Sequence, residues 1–461
     1  VLLCPIAYAH VDAAKCVAEA CRMLRTIAWR IAPHNSQGAQ SIWNAISRQS
    51  QILGLILLFS SAACGGGQDV SKTDTANSTE TIVRPGVEVL ISDSLHLVSG
   101  KRVGLVTNQT GIDRSGRSDI DILADHPEIT LAALYAPEHG IRGEERAGAA
   151  IESGVDERTG VVIHSLYGDT RKPTSEMLKG VDVLVFDMQD VGARYYTYVS
   201  TMALAMEAAG EHDVPFLVLD RPNPIRGDVV QGNVLNPAYK TFVGMYEVPM
   251  RHGMTPGELA RMYAGAFGIS VDLTVVPVEG WKRDMTFDDT NLPWVAPSPN
   301  MPNVASALAY PGTCLFEGTP ISVGRGTEKA FQWIGAPWLD GQELADALNE
   351  YEIDGVRFEP VTFTPRNAGD RKFEGVGVEG VQLIALSTDY DASRAGVAML
   401  IETYRVSQEN WSWYEAHFDR LAGTDALRMG LVANVSFEEL VSGWDVGVRE
   451  FESSRAPYLL Y

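Results

Sequence analysis

The sequence predicts an α/β fold: a Rossmann-like parallel sheet domain with a smaller C-terminal α+β domain. Three observations carry this. First, residues 103–106, 131–135, 181–186 and 216–219 are continuous apolar runs, as strands buried on both faces of a parallel sheet require. Second, helical patterns such as residues 198–209 separate them, giving the β-α alternation of a doubly wound sheet. Third, each run stops at a polar or Gly/Pro cluster, where ligands bind in open α/β sheets.

The first run ends in Thr107-Asn108-Gln109 and the second in Pro137-Glu138-His139-Gly140. The third continues through Asp187 and Asp190 to Arg194, and the fourth into Asp220-Arg221-Pro222-Asn223. Glu138, Asp190, Arg194, Asp220 and Arg221 are therefore expected at one rim. No GxGxxG follows the first strand, and neither a GxxxxGK[ST] phosphate loop nor a GxSxG elbow is found. Without a nucleotide loop, the carboxylate-rich rim is the site to explain.

From about Asp340 the elements shorten. A helix is expected over residues 341–351, strands over 356–364 and 381–386, and a helix over 394–404. The catalytic domain is set at 86–300 and the C-terminal domain at 301–461, with the join between about Pro224 and Asp340. The linking region runs from Trp294 through Pro297-Ser298-Pro299-Asn300-Met301-Pro302 to Thr327. Its Pro, Gly, Asn and Ser content predicts a long irregular, functional stretch. Within it Glu317 adjoins Gly318, and Arg325 stands between Gly324 and Gly326.

The 461 residues suffice for two domains, and the net charge is −22. Such an acidic chain lacks the basic face that nucleic acid needs. Arg48, the apolar residues 52–59 and Ser60-Ser61-Ala62-Ala63 read as a signal sequence, too short to span a bilayer as a mature helix. Cys64 follows, resembling a bacterial lipoprotein box with Ser61 where Leu is usual. A plain secretory signal is the alternative. Residues 1–63 are read as leader, of which 1–47 fit no signal pattern. Residues 64–85 form a Gly/Ser/Thr/Asp-rich tether behind a lipidated Cys64. The expected location is the cell envelope, periplasmic or anchored to the outer membrane, with membrane contact only through the lipid. Beyond Cys64 only Cys314 remains, so no intrachain disulfide is expected there, and no zinc-ligand spacing is found.

Eight strings in order resemble the NamZ-type exo-β-N-acetylmuramidase family, formerly a domain of unknown function. They begin at Val103 (VGLVTNQTG), Ala136 (APEHGIRG), Ser165 (SLYG) and Val185 (VFDMQDVGARYYTYVSTM). They continue at Leu219 (LDRPNP), His252 (HGMTPGELA), Pro297 (PSPNMP) and Leu315 (LFEGTPISVGRGT). The departures are Met188, where Ile is common, and Thr319-Pro320, where Thr-Asn is expected. The resemblance covers residues 86–461. It implies a Rossmann-like catalytic domain, a smaller C-terminal domain and a cleft between them. It also implies release of N-acetylmuramic acid from the non-reducing end of cell-wall fragments, with no metal or organic cofactor.

Glycoside hydrolysis needs two carboxyl groups flanking the scissile bond. Glu138, beside Tyr135 and Pro137, is the candidate general acid. Glu317 is the preferred second carboxylate, or else a turn carboxylate fixing its loop; Asp190 competes for the role, with Glu144 and Glu207 behind it. His139 supports the loop or binds a hydroxyl. Asp220 and Arg221 form either an internal ion pair positioning Asn223 or ligand contacts. His252 is a cleft residue or a core histidine. Tyr195, Tyr196 and Tyr198 open a helix and offer a stacking face, and Asn300 is placed among the substrate contacts. The lactyl carboxylate of muramic acid calls for a guanidinium, with Arg325 first, then Arg194 and Arg221. Two other classes stand beside this one. A non-catalytic muropeptide-binding lipoprotein would bind without turnover. A carbohydrate esterase or amidase would need a Ser–His pair or a metal site, neither found at recognisable spacing.

Overall fold

The computed structural model describes residues 82–143 and 150–461, so Cys64, the leader and Glu144 lie outside the described residues. The first half alternates helix and strand. Its elements are α1 (Gly86–Asp93), β1 (Arg102–Thr107), α2 (Asp119–Asp125), β2 (Thr130–Ala136), β3 (Gly154–Val155) and β4 (Val162–Ser165). Then come β5 (Val183–Asp187), α3 (Tyr198–Glu211), β6 (Phe216–Leu219), β7 (Gln231–Val234), β8 (Pro249–Arg251), α4 (Pro256–Gly265) and β9 (Leu273–Val276).

Seven of these strands form one sheet in the order β3-β4-β2-β1-β5-β6-β9. Every pairing is parallel except β3–β4. Without the two-residue β3 this is the Rossmann order, with β1 and β5 at its centre. Alternate residues feed opposite cores. Leu105, Leu134, Val185 and Leu217 pack towards α1 and α2, while Val106, Tyr135, Phe186 and Val218 pack with the buried face of α3. Burial on both faces explains the unbroken apolar runs.

At the switch point between β1 and β5, the Gln109 amide donates to the carbonyls of Ala296 (2.9 Å) and Pro297 (3.2 Å), and the Tyr198 hydroxyl also donates to Pro297. Here the chain occupies the crevice in which this fold commonly holds a nucleotide.

The second half contains α5 (Val304–Thr313), β10 (Trp333–Ala336), α6 (Gly341–Asn349), β11 (Val356–Phe363), β12 (Val378–Ala385) and α7 (Ala392–Ser407). Four helices close the chain: α8 (Glu415–Ala422), α9 (Ala426–Val432), α10 (Phe437–Leu440) and α11 (Trp444–Arg455). The strands make an antiparallel sheet in the order β10-β12-β11.

The linking region is more regular than expected. Helix α5 starts at an Asn303 cap, whose side chain accepts from the Ser306 N–H, and carries Pro311 in its last turn. Its Gly312 answers to packing rather than to a turn. A Cβ there would lie 1.9 Å from the Ala392 carbonyl oxygen, and one on Gly396 would lie 2.6 Å from Gly312 itself. Two glycines thus let α5 and α7 cross backbone to backbone.

Candidate active site

The carboxyl end of β2, the turn before α3, the 298–301 loop and the C-terminal half enclose a cavity of about 690 Å³. That volume suits a small-molecule site. Five of the residues expected to act line it: Glu138, His139, Asn300, Glu317 and Arg325.

Glu138 follows directly on β2, and its Oε2 accepts a hydrogen bond from the Thr197 hydroxyl at 2.8 Å. Tyr167 stands beside it. Burial first, then the Glu138 charge and hydrogen bond, push the Tyr167 hydroxyl up to about 12. His139 is only 4% exposed and takes a left-handed backbone, φ 73°, so its ring is set by the turn. Tyr195, Tyr196 and Tyr310 form one wall. Tyr195 and Tyr196 precede α3 rather than opening it, and their rings meet Tyr310 edge-on at 5.4 and 5.9 Å.

Glu317 arrives from the opposite side, on a 3₁₀ turn after α5. Arg325 Nε donates to its Oε1 at 2.7 Å, and Nη2 donates to the same oxygen. Burial alone would push the Glu317 carboxyl up. Arg325, with smaller help from Lys372, outweighs burial and holds it below the usual glutamate range. The cavity therefore offers one carboxyl hydrogen-bonded to a hydroxyl and another locked as an anion.

The remaining expected residues are not brought to the cavity. Arg194 is buried, with Nη1 on the carbonyls of Asn233 (2.7 Å) and Val248 (3.1 Å) and Nη2 on those of Leu421 (3.0 Å) and Ala422 (2.8 Å). Arg221 is paired with Asp187 at the closed switch point. Asp220 accepts from the Thr255 hydroxyl (2.7 Å), the Gly257 N–H (2.7 Å) and the Tyr461 hydroxyl (2.7 Å), anchoring the start of α4. Asn223 bridges the Met254 carbonyl and the Ile225 N–H. His252 accepts the Met254 N–H at Nδ1, so Nε2 carries its proton and faces Asp190 at 3.4 Å. Asp190 is 2% exposed. Arg221 lies where the chain fills the crevice beyond β5. Arg194, Asp220, Asn223 and His252 are taken up by internal hydrogen bonds elsewhere, and Asp190 Oδ2 accepts the Gly192 N–H at 2.7 Å. Glu207 is bound by Lys172 at 3.3 Å and does not line the cavity.

Sequence reasoning missed Tyr167, Asp370, Lys372, His417 and Arg420, all of which line the cavity. Lys372 Nζ donates to the carbonyls of Phe316 (2.9 Å) and Ile321 (3.0 Å), and burial lowers it to about 8. A signal existed for the last two: His417 and Arg420 are three apart on α8 and so share a helix face. Among the described residues, no group of three or more His, Cys, Asp or Glu is arranged to hold a metal ion.

Two family models match in tandem: exo-β-N-acetylmuramidase NamZ, N-terminal, over residues 103–305, and its C-terminal counterpart over 308–461. The chain belongs to the NamZ exo-β-N-acetylmuramidase family. Members of this family are glycosidases by description. A relative from Bacillus subtilis (strain 168), peptidoglycan β-N-acetylmuramidase NamZ, is 44% identical over 408 residues, covering 88% of this chain and 97% of the relative. Two crystal structures of DUF1343 family proteins from Bacteroides fragilis NCTC 9343 share the fold. One has a TM-score of 0.77 at 38% identity, the other 0.68 at 34%, and each match covers 82% of this chain and 99% of the other.

Proposed function

We propose that this chain hydrolyses the terminal β-linked N-acetylmuramic acid of peptidoglycan fragments from the non-reducing end. In this reading Glu138 is the general acid and Glu317 the anionic partner. The observation that carries it is the pair of carboxyls, Glu138 and Glu317, that line one cavity from opposite sides. Glu138, oriented at the end of β2 by the Thr197 hydroxyl, would deliver the proton to the departing oxygen. Glu317, held as a carboxylate by Arg325, is suited to face the positive charge developing on the sugar. The tyrosine wall offers aromatic surface to a pyranose. Cationic groups on the C-terminal side favour an anionic sugar within an otherwise acidic protein.

The same reading places the protein in the cell envelope, held by a lipid on Cys64 with the tether giving reach to cell-wall fragments. Incubation with a chromogenic N-acetylmuramide tests the activity, with the N-acetylglucosaminide as control. Turnover of the muramide and weaker turnover of the glucosaminide are expected. No turnover of either would leave the binding-lipoprotein reading in its place.

A further inference from the structure

We infer that Arg420, steadied by His417, is the residue that reads the lactyl carboxylate of the substrate sugar. This rests on the muramidase reading and identifies the group that gives it selectivity. Among the described residues two other Arg/Lys cations line the cavity, and each is already committed. Arg325 gives Nε and Nη2 to Glu317 and is only 13% exposed. A substrate carboxylate brought there would meet the Glu317 anion as well. Lys372 holds two backbone carbonyls. Arg171 is not among the lining residues; it lies over the Phe242 ring at 4.2 Å and the Tyr167 ring at 5.3 Å.

Arg420 differs. It is an exposed residue on the last turn of α8, and its guanidinium still lines the cavity. Its one hydrogen-bond partner among the described residues is a neutral acceptor. Nε and Nη2 approach His417 Nδ1 at 2.9 and 2.6 Å. Burial and the Arg420 charge lower the His417 pKa, keeping the ring neutral and its Nδ1 lone pair available. Two contacts to one atom fix the plane of the guanidinium. They use one edge and leave the Nη1/Nη2 edge for two parallel bonds to a carboxylate.

The position also fits the sugar. Glu138, Tyr167 and Arg420 line the same cavity, and the Tyr167 hydroxyl feels both the Glu138 and the Arg420 charge. In muramic acid the lactyl ether is on C3 of the same ring whose C1 bond breaks. The carboxylate site and the general acid must therefore lie within one sugar of each other.

The test uses the full chain and two chromogenic substrates, the N-acetylmuramide and its lactyl methyl ester, which keeps the shape and removes the charge. Hydrogen bonds to charged groups are worth about ten- to a hundredfold, so the wild type should favour the acid over the ester by that factor in kcat/KM. In Arg420→Ala the acid-to-ester ratio should fall to about one. Arg420→Lys, which keeps charge without the fork, should fall between. His417→Ala should lower the ratio, and His417→Asn, which restores an acceptor, should recover part of it. A wild-type ratio persisting in Arg420→Ala, while the muramide is still hydrolysed, overturns the assignment and leaves the muramidase reading standing. A wild type that hydrolyses neither substrate overturns both.

Discussion

Arg325 and Glu317 form a closed pair on the C-terminal side of the cavity, with two N–H groups of one guanidinium converging on a single carboxylate oxygen. Sequence spacing nominated Arg325 as the contact to the substrate's charge. The pairing spends that guanidinium on a neighbouring acid instead. Arg325→Ala should then impair every sugar substrate alike, because Glu317 would lose what keeps it ionised. Removing one partner of a mostly buried pair should also cost about 2 kcal/mol, discounted for its residual exposure. Parallel kinetics on muramide and glucosaminide, with thermal unfolding, check both. A loss confined to the muramide would return Arg325 to substrate recognition.

Glu138→Gln keeps the shape of the side chain and its contact to Thr197 while removing proton donation. A loss of about a hundred- to ten-thousand-fold in kcat is expected, with the melting temperature held. Retention of more than about a tenth of the activity would exclude Glu138 as the acid.

Lys372 supplies a pH dependence. Burial lowers it from 10.5 to about 8, so it is charged below that pH and neutral above. KM for the anionic muramide should rise as pH passes through about 8, and Lys372→Met should flatten that rise. Folding responds in the opposite sense. Between about 8 and 10.5 the unfolded chain holds the extra proton, so this group's contribution to stability increases with pH there. A KM profile identical in wild type and Lys372→Met would show that the substrate does not feel the Lys372 charge.

Far from the cavity, Tyr461 donates to Asp220 and accepts the Val278 N–H at 2.8 Å. Tyr461→Phe should destabilise the fold by about 1–3 kcal/mol, with kcat on the muramide unchanged. Burial raises Asp220 to about 6 against the hydrogen bonds it accepts, so the native state binds the proton more tightly than the unfolded chain. The stability this group contributes is present below the ordinary aspartate value of 3.8 and is lost as pH rises through about 6. Denaturant midpoints across that range, compared with Asp220→Asn, measure it.

The sheet was legible because burial on both faces leaves a mark that few other structures leave, the unbroken runs around Leu105, Val185 and Leu217. Glu138 was legible for a related reason, since a strand end followed by glycine marks the rim. The rim rule gives where a strand stops and says nothing of what fills the space beyond it. Hence Arg221 is expected outward although Leu292, Pro293 and Val295 stand beside it, and Asp220 although the start of α4 and Tyr461 take up its carboxylate. Helix α5 was hidden because Gly312 answers to a helix crossing, a demand made by residues some eighty positions later. Lys372, His417 and Arg420 come from segments whose only common property is a shared cavity, which periodicity cannot express.

Arg194 deserves a different valuation from the one its strand-end position suggested. It starts in the loop between β5 and α3 and ends on the last carbonyls of α8, the helix that carries His417 and Arg420. The helix proposed to discriminate between sugars is thereby held from the first half of the chain, although the side chain proposed to read the substrate belongs to the other half. A chimera joining this sheet to the C-terminal half of a relative would keep its selectivity only if the transplanted helix still ended within reach of that guanidinium. The two halves would have to diverge together, with the seam between them as the shared constraint.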